Sequence, residues 1–221
     1  GHRLHILYLT SGIEADWLHG LTSLTGTEGE AHITTEALPQ HLTFDERDVA
    51  ERGTRLKMNP PIRYQVDKDT LWKRLHDGTI TCIATDHAPH ALEGKSNFYV
   101  DCPSGMPSIQ HTLLVLLELV KQGEFNLEDI PTYASHNVSK RFKIKERGYI
   151  REGYWADLVL VDLDSLQTVS RENVSYFCGW SPFEGDTFHS KIVGTFVNGN
   201  LVYSEGKILE ANQGVQLEFD R

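Results

Sequence analysis

Three short runs rich in apolar and β-branched residues constrain this chain most: LHILYLT (4–10), AHITTEAL (31–38) and TITCIAT (79–85). Stretches with helical signals separate them. SGIEADWLHGL (11–21) places Ile13 and Trp17 at i, i+4, the spacing of one helical face. TFDERDVAERG (43–53) offers Asp45 as an N-cap and Gly53 as a stop, and Asp67 is expected to cap KDTLWKRLHDG (68–78), with Leu71, Trp72 and Leu75 on one face. Strands alternating with helices predict parallel strands joined by crossover helices, near 4–9, 31–36 and 80–85. The Pro60–Pro61 pair within RLKMNPPIR must interrupt regular structure.

Beyond the third run, an irregular stretch (87–107) leads into TLLVLLELV (112–120), a buried helix stopped by Gly123, and a further helical stretch is expected from about 126 to 142. The texture then changes. From RGYIREGYWADLVLVDLD (147–164) onward the pattern is short strands and turns, and Asn198-Gly199 between two alternating runs is a strong hairpin signal. The expected organisation is an α/β unit over 1–145 followed by a small β module over 146–221.

The chain has 221 residues, of which 39% are hydrophobic and 24% charged, so it has ample material for a globular core. A net charge of −10 without a basic stripe argues against a nucleic-acid surface. Three widely spaced cysteines, Cys82, Cys102 and Cys178, indicate neither a disulfide framework nor a zinc ribbon, and point to a reducing, cytoplasmic compartment. No apolar run approaches the roughly 20 residues of a membrane span. The sequence opens directly on a buried-strand pattern with neither Met nor signal peptide. That suggests the C-terminal portion of a longer protein.

In a parallel α/β barrel the carboxyl ends of the strands converge on one pocket. Here the first such end carries Tyr8, Thr10 and Ser11, and the second leads through Glu36 towards His41 and Asn59. The third, TCIATDHAPH (81–90), carries Asp86, His87 and His90. Taken alone it could be a solvated turn. A carboxylate there could instead hold a metal or move a proton to and from a metal-bound water. His41 and His5 read as buried structural histidines.

These segments resemble the dihydroorotases, in the cyclic amidohydrolase part of the amidohydrolase superfamily. ATDHAPH followed by PSG is similar to that family's signature, and KMNPPIR to its Lys-x-Asn-Pro-Pro-Leu-Arg segment. ITTEALPQHL resembles a segment ending Pro-His-His-Leu, with Gln40 in place of the first His. GYIREGYWADLVLVD and WSPFEG…GTFVNG are similar to its C-terminal β module.

The resemblance implies the C-terminal part of a metal-dependent (β/α)8 barrel (the last three strands) followed by a small β-sandwich module. It also implies a zinc hydrolase of pyrimidine biosynthesis interconverting dihydroorotate and N-carbamoyl-L-aspartate. By the same carry-over, Asp86 is a metal ligand and the catalytic acid–base. Asn59 and His90 contact substrate, and Gly105 offers it backbone groups. Two departures accompany the match. Tyr8 stands where the family places a metal-binding histidine, and a neutral phenol is a poor replacement for imidazole. The remaining ligands of the two-metal zinc site, and an early substrate-binding arginine, are absent from these residues. Rival readings are a hydantoinase- or allantoinase-like enzyme and a non-catalytic dihydroorotase-like scaffold subunit. The expected partners are a small-molecule substrate and a second copy of the chain or a pyrimidine-pathway protein, with no nucleic acid and no membrane.

Overall fold

The computed structural model describes residues 2–22, 32–209 and 214–220. The chain divides into two compact units, Gly1–Thr112 with Val174–Glu184, and Leu113–Asn173 with Gly185–Arg221.

The first unit is built on a three-stranded parallel sheet in the order β1 (Leu4–Ile6), β2 (Ile33–Ala37), β3 (Cys82–Ile83). The parallel pairing expected from the alternation is present. The strands are shorter than the apolar runs, and Ala31 of the second run lies outside the described residues. Tyr8 explains the first shortening: its φ of 37° leaves the extended region, which an L-residue does at a cost. The Leu9 N–H then rejoins the ladder at the Glu36 carbonyl (2.9 Å). β3 is flanked by further bonds from Thr81 N–H to Thr35 O and from Ala84 N–H to Ala37 O.

Helices α1 (Gly12–Thr22), α2 (Pro39–Thr43), α3 (Glu46–Arg52) and α4 (Gln65–His76) complete most of this unit. Asp45 caps α3 in a reciprocal box with Asp48, and Gly53 ends it. Leu71, Trp72 and Leu75 of α4 are buried together, as their spacing predicts.

Ile13 and Trp17 share a face of α1, as their spacing predicts, and it is the outward one: they are 84% and 65% exposed, whereas Ala15 and Leu18 are buried. The inner side is set by small residues, since a Cβ on Gly12 would lie 2.9 Å from the Thr70 Cβ. One expectation needs correction. Asp67 does not cap α4, whose N-cap is Tyr64. It lies in that helix's first turn, and its carboxylate accepts the Gly12 N–H at 2.7 Å, serving the start of α1 instead.

Two further helices follow in chain order, α5 (Leu92–Lys95) within the irregular stretch and α6 (Thr112–Lys121) after it. Within the second unit, the apolar side chains Leu114 to Leu117 and Leu119 of α6 are buried, and Gly123 follows at φ 82°. The stretch expected as one helix from 126 is three pieces, α7 (Asp129–Pro131), a π turn (Thr132–His136) and α8 (Asn137–Phe142). An antiparallel sheet runs in the order β4 (Leu158–Asp162), β7 (Lys191–Val197), β8 (Asn200–Ser204), β9 (Lys207–Ile208), and β5 (Gln167–Thr168) pairs with β6 (Thr187–Phe188). Asn198 and Gly199 turn the β7–β8 hairpin with φ of 50° and 82°, the doubly positive pair that such a turn needs. Among the described residues no helix is long and apolar enough to cross a membrane.

Candidate functional site

Asp86 sits just past β3, half-buried, with φ at 44°. With Tyr8 it makes two non-glycine residues in the left-handed region at the ends of strands in one sheet. Such conformations are costly and collect at functional positions. Burial pushes the Asp86 carboxyl above its ordinary range, and the negative charge of Glu36 pushes it the same way.

Glu36, on β2, is itself engaged from below. His5 Nε2 lies 3.0 Å from its Oε2, and His5 Nδ1 lies 2.8 Å from the Thr34 hydroxyl. The His5 and Glu36 side chains are 7% and 10% exposed, so the reading of His5 as structural fits its place. The Gln40 amide donates to the Thr85 carbonyl at 2.7 Å, one residue before Asp86. Ser108 Oγ donates to the same carbonyl at 2.8 Å. The end of β3 is thereby held from two directions.

His87 faces away from such chemistry. Its Nδ1 accepts the Ser108 N–H (3.0 Å) and its ring lies against Tyr176 (centroids 5.2 Å apart). His41 is buried, as expected of a structural residue, with Nε2 donating to the Pro60 carbonyl at 3.1 Å. Asn59 follows Lys57 and Met58 and precedes that carbonyl, joined to Pro60 by a cis peptide bond. Its side chain is exposed.

Gly105 and His90 are neighbours. A Cβ on Gly105 would fall 3.1 Å from His90 Cδ2 and 2.5 Å from the Ala88 Cβ, and φ there is 127°, so a side chain is excluded twice over. His90 Nε2 lies 2.9 Å from the Ser104 carbonyl, and the Trp180 indole donates to the His90 carbonyl at 2.8 Å. The Gly105 N–H donates to the Lys57 carbonyl (2.9 Å), and the Gly105 carbonyl accepts from Lys95 Nζ (2.9 Å). The backbone donor expected at Gly105 is therefore engaged within the fold, and so is its carbonyl, in a buried residue. Contacts thus unite Gly105, His90 and the segment leading to Asn59. Asp86 connects to them through its own chain: His87 pairs with Met106, and the Ala88 N–H donates to the Met106 carbonyl at 3.1 Å.

Among the described residues, no group of three or more His, Cys, Asp or Glu side chains is arranged to hold a metal ion. Glu36 is committed to His5, and Tyr8 supplies a phenol where an imidazole would serve. The donors present here do not fit a complete zinc centre. An open depression of about 400 Å³ lined by Ser96, Asn97, Phe98 and Asp101 lies in the loop that follows, apart from the expected residues. The residue that sequence reasoning missed is Lys95, whose burial no motif signals.

Comparison with known proteins matches residues 18–202 to the Amidohydrolase family. A dihydroorotase from Clostridium acetobutylicum is 35% identical over 206 residues, covering 93% of this chain and 47% of the relative. One from Halobacterium salinarum is 38% identical over 181 residues, covering 82% and 42%. The chain thus spans a little under half the length of these relatives. Among solved structures, an L-hydantoinase (dihydropyrimidinase) from Arthrobacter aurescens superposes with a TM-score of 0.84 at 26% identity, covering 94% of this chain and 46% of that one. A dihydropyrimidinase from Brevibacillus agri, at 23% identity and a TM-score of 0.82, shares the fold, with coverage of 94% and 46%.

Proposed function

The chain belongs to the Amidohydrolase family, and on that premise we propose that it forms the C-terminal portion of a dihydroorotase-type cyclic amidohydrolase. In this reading residues 1–145 supply the last three strands of a (β/α)8 barrel, and 146–221 form a β-sandwich module. The substrates are dihydroorotate and N-carbamoyl-L-aspartate, and the setting is cytoplasmic pyrimidine biosynthesis. The observation that carries the reading is Asp86: a half-buried carboxylate in a left-handed conformation at a strand end, with its pKa raised. The dihydroorotase relatives at 35–38% identity support the substrate class.

Opening the dihydroorotate ring breaks an amide C–N bond, adds water to the carbonyl carbon and leaves a proton to be delivered to the departing nitrogen. Asp86 takes the proton from the attacking water and hands it to that nitrogen, the exchange a carboxylic acid with a raised pKa performs best near neutrality. His90 and Asn59 bind the substrate carboxylate and imide edge, and Gly105 keeps the backbone beside His90 free of a side chain. The family is generally metal-dependent, and zinc with Asp86 as one ligand belongs to this reading for the whole protein. The described residues alone do not complete that centre.

Tyr8 favours one second reading, a dihydroorotase-like subunit that binds but does not turn over. Thermal unfolding separates the cases. Orotate is expected to raise the midpoint while hydantoin does not, and the shift should vanish in His90→Ala and Asn59→Ala. Stabilisation by hydantoin alone would move the reading to the hydantoinases, and stabilisation by neither would remove it.

A further inference from the structure

Lys95 is 1% exposed, at the end of α5 in the loop that follows Asp86. A buried ammonium is costly unless each of its protons is accepted. Here each one is: Nζ donates to the carbonyls of Lys57 (3.0 Å), Pro103 (3.0 Å) and Gly105 (2.9 Å). Three donors meet three acceptors, and all three are backbone. No carboxylate takes part in this set, so the ammonium does not serve an ion pair.

The three carbonyls are not a random sample of the chain. Lys57 lies two residues before Asn59. Pro103 lies two residues before Gly105, and the third acceptor is Gly105 itself. The Lys57 carbonyl also accepts the Gly105 N–H, so one oxygen ties both segments to each other and to Lys95. Trp180 closes the group: its ring centroid lies 6.0 Å from Lys95 Nζ while its indole N–H holds the His90 carbonyl. Burial pushes the Lys95 ammonium below the ordinary lysine range, and Cys102 beside it pushes back. We infer that Lys95 is a positioning residue: its ammonium fixes the Lys57–Asn59 and Pro103–Gly105 segments in one register, and with them the exposed Asn59 and His90 that would meet the ligand.

Only the ligand part of this inference rests on the cyclic amidohydrolase reading. The positional part is tested on the ligand-free 221-residue chain by amide hydrogen exchange, comparing wild type with Lys95→Met. The Gly105 and Ala88 amides are expected to exchange roughly tenfold faster, and the sheet amides of Leu9 and Ala84 to stay within about twofold. Exchange at Gly105 that does not change, or equal acceleration at all four amides, would overturn the assignment. Lys95→Gln keeps two donors and should fall between wild type and Lys95→Met. If neither variant folds, Lys95 is a general stability element and the positioning role is lost.

The ligand part is read by calorimetric titration with L-dihydroorotate, expected to bind Lys95→Met roughly tenfold more weakly than wild type. Equal affinity despite accelerated exchange would overturn the link to the ligand. If wild type itself does not bind dihydroorotate, the functional reading fails, while the exchange pattern still decides whether Lys95 sets the register.

Discussion

The His41 imidazole must stay neutral. Burial is the main cause lowering its pKa from 6.5 to about 4, against the raising effect of the bond to Pro60. Nε2 donates to that carbonyl, and Nδ1 is buried without a hydrogen-bond partner, so a proton added there finds no acceptor. Between pH 6.5 and 4 the unfolded chain binds this proton and the native state does not. Stability therefore rises with pH across that window, is complete above it, and is lost on acidification by up to about 3 kcal/mol. His111, also pushed down to about 4 by burial, adds in the same window. Urea unfolding at pH 7 and pH 4.5 should show the loss, and His41→Gln should remove part of it. An unchanged slope in that variant would refute the assignment. Gly105→Ala is a second residue-scale case. Its φ of 127° and the 2.5 Å approach to Ala88 predict a loss of at least about 2 kcal/mol, measured by urea midpoint.

At the scale of elements, α3 shows how a cap and an ion pair can be told apart. Asp45 accepts the Arg47 N–H at 2.9 Å and also meets Arg47 Nη2 and Lys68 Nζ at 2.7 Å. The Arg47 bonds are the first cause holding its carboxyl far below the usual range. Arg47 is 72% exposed, so that pair contributes little in salt. Asp45→Ala should cost about 1–2 kcal/mol, and Asp45→Asn clearly less because the amide oxygen still caps. Equal losses would assign the effect to charge.

This helix was legible because its cap and stop are local signals, as were the Asn198–Gly199 turn and the parallel order of the three strands. The inner face of α1 was not. Large apolar side chains at 13 and 17 outweighed the small residues, Gly12 and Ala15, that permit close packing. Asp67 was also hidden, because the N–H it accepts belongs to a helix more than fifty positions away. Motif singled out Asp86, Asn59, His90 and Gly105 as candidates, and the structure joins Gly105 to His90 and to the segment leading to Asn59. Lys95 was not legible, because its three partners are backbone oxygens that carry no side-chain signature.

For the whole molecule, the proposed function makes Asp86 an acid–base carboxylate beside a substrate-binding loop cluster, while the described residues offer too few ligands for a zinc centre. A catalytic zinc needs about three protein ligands. On the proposed reading Asp86 would supply one and Tyr8 stands where the resemblance puts a second, and no ligand group forms among the described residues. Tyr8→His should raise zinc affinity only modestly. The most direct measurement is zinc titration of the purified chain, run together with a dihydroorotate hydrolysis assay in added zinc. Weak, substoichiometric zinc and no turnover are expected. Tight zinc at one or more equivalents, with turnover abolished by Asp86→Ala, would contradict that expectation.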